Sequence, residues 1–428
     1  MPTSTALPDL ALFPDGTTRR PDGELLIGGC ALSELAERFG TPALVVDEAA
    51  LRGRAREFLT AFRSRHADAH VHFASKAFPS ATVLGLLAGE GLGLDVASGN
   101  ELSIALAGGA RPDQMLLHGN AKTDAEIVLA LRQGIGYIVI DNLDDVDRIA
   151  RYATSPQRVL LRVTPGIAAQ THEANATGHI GSKFGVSMAD APDVIARIRR
   201  EPNLQLDGLH AHIGSQIFEL EQFRAEVAAL ATLERFPVYD LGGGLATRYT
   251  SSDPAVSIDD YADVLVSAAH RHLGEDVRLI VEPGRSMVAP TGVSVYRVVT
   301  VKRGVRTHVA VDGGMGDNLE VSLYGQPFQP WLLDRDAPLE TVDLVGHHCE
   351  SGDIMVRDAT LPRAEVGDLV VVPVTGAYTY AMSNNYNAAF RPPVVLCRDG
   401  EATLAVRRET MDDLLVREVR LAERVATA

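Results

Sequence analysis

From about Pro42 to Arg285 the chain alternates short apolar runs with amphipathic stretches. The runs are His70–Lys76, Gly93–Ser98, Gln114–Gly119, Tyr137–Asn142, Val159–Pro165, Leu206–Gly214, Val238–Gly243 and Leu279–Gly284. Between them, Asn100–Ala107, Asp124–Gln133, Leu143–Tyr152, Asp190–Arg199 and Leu220–Arg235 carry apolar residues at helical spacing. Runs that are apolar almost throughout read as strands buried on both faces, and strand-helix repetition predicts a parallel sheet. Eight such strands suit a closed (β/α)8 TIM-like barrel better than an open sheet. An open doubly wound sheet needs a switch point and a glycine-rich turn after its first strand. Gly89-Glu90-Gly91-Leu92-Gly93 has the glycines, but it precedes its strand.

After about Met287 the texture changes. Val293–Val301, His308–Asp312, Thr341–Val345, Leu369–Thr375, Val394–Arg398 and Thr403–Arg407 read as short strands separated by Gly and Pro, with little helical signal before Met411–Glu418. Glu24–Ile27 reads as one more strand. The expected fold class is therefore α/β: a barrel over 42–290 and a C-terminal all-β domain, Greek-key or sandwich-like, over 291–428 joined by 1–41.

Composition narrows the function. Hydrophobic residues at 46% and charged residues at 22% exclude a mostly disordered chain. The formal net charge of -16 argues against nucleic-acid binding and against adhesion to anionic membranes, both of which need a basic face. Three cysteines, Cys30, Cys349 and Cys397, are too few and too odd for a disulfide framework and fit a reducing compartment. No apolar run reaches the roughly 18–20 residues of a membrane span, and the first residues lack a basic segment followed by an apolar one. The expectation is a cytoplasmic enzyme.

The residues that carry chemistry cluster where the apolar runs end. Lys76, Ser98, His118, Asn142, His212, Gly242–Gly244 and Glu282 all fall at or just beyond the predicted C-terminal ends of strands, the face where barrel active sites lie. Lys76 closes V-H-F-A-S-K. There it reads either as a snorkelling surface lysine or as a buried amine whose pKa is lowered for imine formation. Three consecutive glycines let backbone N–H groups approach a phosphate, or simply make a tight turn. Glu282 in E-P-G-R reads as an ordinary partner of Arg285 or as a carboxylate for a protonated heterocycle. His210 and His212, two apart on a predicted strand, share a face and read as a core and a rim histidine or as half of a metal site. His347-His348-Cys349-Glu350 alternate faces if they lie on a strand, so at most two reach one ion; no metal is expected.

Taken in order, F-A-S-K-A (Phe73–Ala77), H-I-G-S-Q (His212–Gln216), G-G-G-L (Gly242–Leu245), E-P-G-R (Glu282–Arg285), D-G-G-M-x-D-N (Asp312–Asn318), L-Y-G (Leu323–Gly325), C-E-S-G-D (Cys349–Asp353) and G-A-Y (Gly376–Tyr378) closely resemble the diaminopimelate decarboxylase family. These are fold-type III pyridoxal 5'-phosphate (PLP) enzymes related to alanine racemase and to ornithine and arginine decarboxylases. The resemblance runs from Ser33–Asp47 to Arg407–Leu414.

It implies PLP-dependent decarboxylation of meso-2,6-diaminopimelate to L-lysine, in lysine biosynthesis, by a homodimer with shared active sites. Lys76 matches the lysine that carries PLP. His212 matches the histidine stacked on its ring, and Ser215 a serine near the phosphate. Gly242, Gly243, Gly244 and the Pro283-Gly284-Arg285 backbone resemble the phosphate cradle, and Glu282 the acid on the ring nitrogen. Cys349 matches the proton donor that reaches in from the other subunit. Arg285, Tyr324, Glu350 and Tyr378 match substrate contacts, Tyr378 touching cofactor as well. One position departs: Glu320 stands where the family has an arginine that contacts a substrate carboxylate. The charge reversal keeps open a paralogous decarboxylase for another diamino acid or an amino-acid derivative in specialised metabolism, with Glu320 facing its substrate.

Overall fold

A computed structural model describes residues 9–167 and 181–419. They form two compact units. One comprises Glu48–Thr291 and Gly376–Ala381; the other takes the described residues up to Asp47, then Gly292–Thr375, then those from Met382 onward.

The first unit is a closed barrel of eight parallel strands: Ala69–Ala74, Gly93–Val96, Met115–Leu117, Tyr137–Ile140, Gln157–Thr164, Leu204–His210, Val238–Asp240 and Arg278–Val281. Each pairs with the next in chain order. Closure comes from the last strand pairing with the first, Ile280 opposite His70. Leu116, Tyr137, Val139, Leu160, Val238 and Ile280, from five strands, pack into one buried cluster. Such a core explains why the strands read apolar throughout.

The strands end before the apolar runs that predict them. The run His70–Lys76 is strand only to Ala74, Leu206–Gly214 only to His210, and Val238–Gly243 only to Asp240. The segments beyond are turns and loops that are mostly buried, Lys76 and His212 apart, and burial keeps the rest apolar without sheet pairing. Ser98 and Asn142, grouped above with the chemistry-bearing residues, serve as helix N-caps instead. Ser98 accepts from the Glu101 amide and Asn142 from that of Asp145, and Thr123 and Ser257 do the same for two other helices. Each such cap is worth about 1 kcal/mol and fixes where a strand-to-helix turn ends.

In the second unit, strand Gly292–Arg303 is the spine. Its first half pairs with Ala43–Asp47 and Leu369–Pro373, its second half with Thr307–Val311. Leu339–Val345 and Ile354–Pro362 extend the sheet at one end, Val394–Arg398 and Glu401–Val406 at the other. Leu25–Ile27 lies in a separate three-stranded sheet. The sequence pattern puts the start of the barrel at 42, yet Ala43–Asp47 pairs within this second sheet. It is buried at every position and parallel to Val394–Arg398, so its pattern matches that of a barrel strand. Ile354–Pro362 escapes the sequence reading because Arg357 and Asp358 interrupt its alternation. His347–Glu350 lies on the turn before that strand, not on a strand. Among the described residues no helix is long and apolar enough to cross a membrane.

Two barrel positions generate predictions. Gly208 sits at a bulge in the sixth strand, where an added Cβ would lie 1.9 Å from the Val238 carbonyl oxygen. Gly208→Ala is expected to lower the unfolding free energy by about 2–3 kcal/mol, read as a shifted denaturant midpoint. His72, in the first strand, packs its ring against Gly93, and burial lowers its pKa from 6.5 to about 4. The unfolded chain then binds the extra proton, so stability is intact above pH 6.5 and falls as pH drops toward 4. The loss is about 3 kcal/mol. His72→Gln should flatten that decline in denaturant titrations across the same interval.

Candidate active site

The loops after the barrel strands enclose a cavity of about 270 Å3. Lys76, on the single turn Ser75–Ala77 after the first strand, lines it together with Asp95, His118, Arg162, His210, His212, Ser215, Gly243, Gly244, Glu282, Gly284, Arg285 and Tyr378. Nearly every barrel strand contributes, which only closure of the sheet allows.

The floor is organised by Glu282. Its carboxylate accepts from His118 Nε2 at 2.7 Å and from His210 Nε2 at 3.3 Å. Burial alone would raise its pKa, but the charge of His118 and the two imidazole donors hold it well below the ordinary carboxylate range. His118 behaves reciprocally: burial lowers its pKa, and Asp95 and Glu282 more than compensate, so it is raised. Burial dominates at His210 and pulls it down to about 3, so that ring is neutral and donates through Nε2. Asp95 is pushed up to about 7, chiefly by burial.

His212 is likewise neutral, burial holding it well below its ordinary pKa. Its Nδ1 accepts the Gly243 amide at 3.2 Å, which fixes the ring. The sequence puts His210 and His212 on one strand. The strand ends at His210, and the two rings take different partners, Glu282 and Gly243.

The glycine loop tolerates no side chains. A Cβ on Gly243 would lie 2.1 Å from the Glu282 carbonyl oxygen, and Gly244, at φ +119°, would set one 2.5 Å from the Gly214 carbonyl oxygen. The loop therefore packs backbone on backbone between two neighbouring turns, leaving its cavity side bare. Arg285 donates Nε to Ser215 Oγ at 3.2 Å and Nη1 to Tyr249 Oη at 2.7 Å. The Tyr378 ring covers its guanidinium, 4.6 Å from centroid to Cζ. Tyr378 itself has φ +61° and donates its amide to Ala77 O at 2.8 Å. A left-handed tyrosine costs roughly 1–2 kcal/mol, a strain that persists where neighbours fix it.

One expectation is reversed. Burial lowers the Lys76 pKa, but Tyr378, Asp95 and Glu282 raise it further, so the net direction is up and the amine is held as an ammonium. Sequence reasoning also gave no role to Asp95, Arg162 or Asp240. Each is a charged residue inside a short apolar run (G-L-D-V, L-L-R-V, V-Y-D-L), and the cost of burying it was the available signal.

The second unit carries the remaining candidates. Cys349 is exposed on its turn, its amide donating to Asn387 Oδ1 at 2.7 Å. Glu350 is exposed beside it and accepts from Tyr386 Oη at 3.4 Å. Tyr324 is half-buried at the end of the short helix Glu320–Tyr324, and Glu320 at its start is enclosed, 1% exposed. The neighbouring His348 is turned inward, its Nδ1 2.8 Å from Asp353 Oδ2, so His347–Glu350 do not converge.

The chain matches the family described as pyridoxal-dependent decarboxylase, pyridoxal binding domain, over residues 49–289, which defines it as a decarboxylase of the PLP-dependent class. The diaminopimelate decarboxylase of Actinosynnema pretiosum subsp. auranticum is 46% identical over 424 residues, covering 96% of each chain. That of Mycobacterium tuberculosis strain H37Rv is 41% identical over 440 residues, covering 96% of this chain and 98% of its own. A solved diaminopimelate decarboxylase from M. jannaschii, in complex with L-lysine, has a TM-score of 0.89 at 30% identity, with 96% of this chain and 99% of that one covered. Within the class, the chain belongs to the diaminopimelate decarboxylase family.

The cofactor is accordingly pyridoxal 5'-phosphate. The cavity fits it: an ionised carboxylate for a cationic ring nitrogen, an amine for an aldehyde, and a glycine-walled end with Ser215 for a phosphate.

His118 supplies most of what keeps Glu282 ionised. In His118→Gln the Glu282 pKa is expected to rise, so the acidic limb of the kcat/KM–pH profile should move to higher pH. Steady-state kinetics across that limb checks it.

Proposed function

We propose that the protein decarboxylates meso-2,6-diaminopimelate to L-lysine and carbon dioxide, as a cytoplasmic homodimer whose active sites are shared between subunits. The observation that carries the reading is Glu282, held ionised by His118 and His210 at the floor of a cavity that also holds Lys76. Bound PLP supplies an electron sink for the charge left at Cα when carbon dioxide departs.

The chain's own residues do the rest. Lys76 holds the cofactor aldehyde. Ionised Glu282 keeps the ring nitrogen protonated, because an adjacent anion favours the cation. His212, neutral and fixed by Gly243, packs on the ring face. Ser215, Gly242, Gly243, Gly244 and the Pro283-Gly284-Arg285 backbone hold the phosphate, although the Gly242 and Gly243 amides are already engaged, by Asp240 and His212. Arg285 and Tyr378 face the substrate from the barrel. Tyr324 and Glu350 meet it from the second unit, and Cys349 delivers a proton to Cα from the partner subunit.

A second reading, decarboxylation of another diamino acid, rests on Glu320 standing where the family has an arginine. The names of relatives matching nearly the whole chain favour diaminopimelate.

The test combines chemistry and mixing. PLP-loaded protein should release carbon dioxide from meso-diaminopimelate in preference to L-lysine and L-ornithine, and borohydride should fix the cofactor on Lys76. Inactive Lys76→Ala and Cys349→Ala proteins, mixed under conditions of proven subunit exchange, should recover partial activity. No recovery counts against shared sites. A preference for another diamino acid that Glu320→Arg reverses would give the second reading the substrate.

A further inference from the structure

One fully buried acid beside Glu282 has no part in the reading above. Asp240 closes the seventh barrel strand and is 0% exposed. Its Oδ1 accepts the Gly242 amide at 3.0 Å. Its Oδ2 is buried and, among the described residues, no donor reaches it. One of its carboxylate oxygens lies within 4.8 Å of a carboxylate oxygen of Glu282 and of a ring nitrogen of both His118 and His210.

Those two histidines already donate to Glu282, one to each oxygen. With His210 neutral, a single imidazolium faces three carboxyl groups, those of Glu282, Asp95 and Asp240. Two carboxylates sharing a buried site do not both ionise, and the one that keeps its charge is the one with the donors. That is Glu282. As an anion Asp240 would leave Oδ2 an orphaned acceptor. As an acid it turns the same atom into a donor, and a carboxylate that accepts one hydrogen bond on each oxygen still has lone pairs to offer.

We propose that Asp240 is held as a neutral carboxylic acid whose Oδ2–H donates to Glu282, making it a positioning residue for the carboxylate that faces the cofactor ring nitrogen. The inference rests on the assignment of Glu282 made above. Other influences act in the same direction. Burial, then the charge of Glu282, pushes the Asp240 carboxyl well above the usual range. Asp95 and Arg162 face it from the second and fifth strands, and their charges oppose each other. From the helix Ile258–His272, Tyr261 is the titratable neighbour, with buried Glu226 behind it on Glu221–Leu230. None of these offers Asp240 a cation in hydrogen-bonding contact. The third hydrogen bond fixes the plane of the Glu282 carboxylate and makes it a weaker base, so the proton stays on the ring nitrogen. A neutral acid kept as a donor in an apolar site is an available solution in proteins.

Infrared difference spectra of the full-length protein, wild type minus Asp240→Asn, with and without PLP, test the protonation directly. A deuterium-sensitive carboxylic acid C=O band is expected in wild type near neutral pH and should vanish in Asp240→Asn. The other buried acids are common to both proteins and cancel. Asp240→Leu removes the donor and is expected to lower PLP affinity by about ten- to hundredfold, the worth of a hydrogen bond to a charged group. It should also move the acidic limb of the pH profile upward. Asp240→Asn, a neutral donor of the same shape, should rescue both. Absence of the acid band overturns the proposal, and so does an Asn variant that behaves like the Leu variant. Should Asp240→Leu not fold, the band and the Asn pH profile still decide. The band in PLP-free protein is independent of cofactor chemistry. A protein that shows it but binds no PLP would sink the assignment of Glu282 and leave the proton on Asp240 standing.

Discussion

The barrel mouth depends on one carboxylate kept ionised although it is almost wholly enclosed by protein. Glu282 is 7% exposed, and burial by itself would favour its neutral form. The charge on His118 and the donors of His118 and His210 reverse that preference. Once this anion is fixed, its neighbours follow. His118 stays protonated and His210 stays neutral. A second negative charge within 4.8 Å would add at least about 3 kcal/mol of repulsion at an effective dielectric of about 20, so Asp240 beside Glu282 is driven toward protonation. The arrangement is expensive to build and difficult to alter piecemeal, because removing one partner leaves a buried charge exposed to the full cost of desolvation.

The fold meets that cost through closure of the sheet. Glu282 and its two histidine partners stand 164 and 72 residues apart in sequence, on the eighth, third and sixth strands or the loops just after them. A barrel brings the C-terminal ends of all its strands to one rim, so groups distant in sequence meet over a common floor. Packing at that rim is tight enough to dictate backbone chemistry. Gly243 and Gly244 press their main chains against the Glu282 and Gly214 carbonyls, which ties the glycine wall to the acid floor by direct contact. The same rigidity holds Tyr378 in its left-handed conformation over Arg285.

Much of this was legible in the sequence, and the gaps have physical causes. Strand-helix alternation gave the barrel because doubly buried strands have a distinctive, nearly unbroken apolar pattern. The same pattern misled at Ala43–Asp47, which is buried and parallel in the other sheet and therefore carries no mark of which sheet owns it. Lys76, His212, Glu282 and the three glycines stood out because each is chemically conspicuous at the end of an apolar run. Asp95, Arg162 and Asp240 did not, because each is one polar residue within such a run and its meaning comes only from what faces it across the barrel. Polar spacing along one strand cannot report that. It put His210 and His212 on one strand, whereas the strand ends at His210. Ser98 and Asn142 looked chemical for an ordinary reason: side chains that cap helices cluster at the same rim as those that do chemistry. Glu320 is the reverse case, conspicuous in sequence as a charge reversal yet enclosed in the structure.

Net charge shows how far a global quantity falls short of a site. The chain carries -16, which by itself suggests an aversion to anions. The cavity is the opposite. Lys76, Arg162, Arg285 and His118 line it, against Glu282 as the firmly ionised acid, with Asp95 held near neutrality in its titration at about 7. A low-dielectric pocket with an excess of cations concentrates anionic ligands, whatever the sign of the outer surface. An anionic phosphate and a substrate carboxylate both meet that field, and both are what a PLP-dependent decarboxylase must hold. Lys76 bears the consequence. The anions beside it favour its ammonium form, so the charge that attracts an anionic ligand also sits on the amine proposed to take up the cofactor, which must lose its proton to do so.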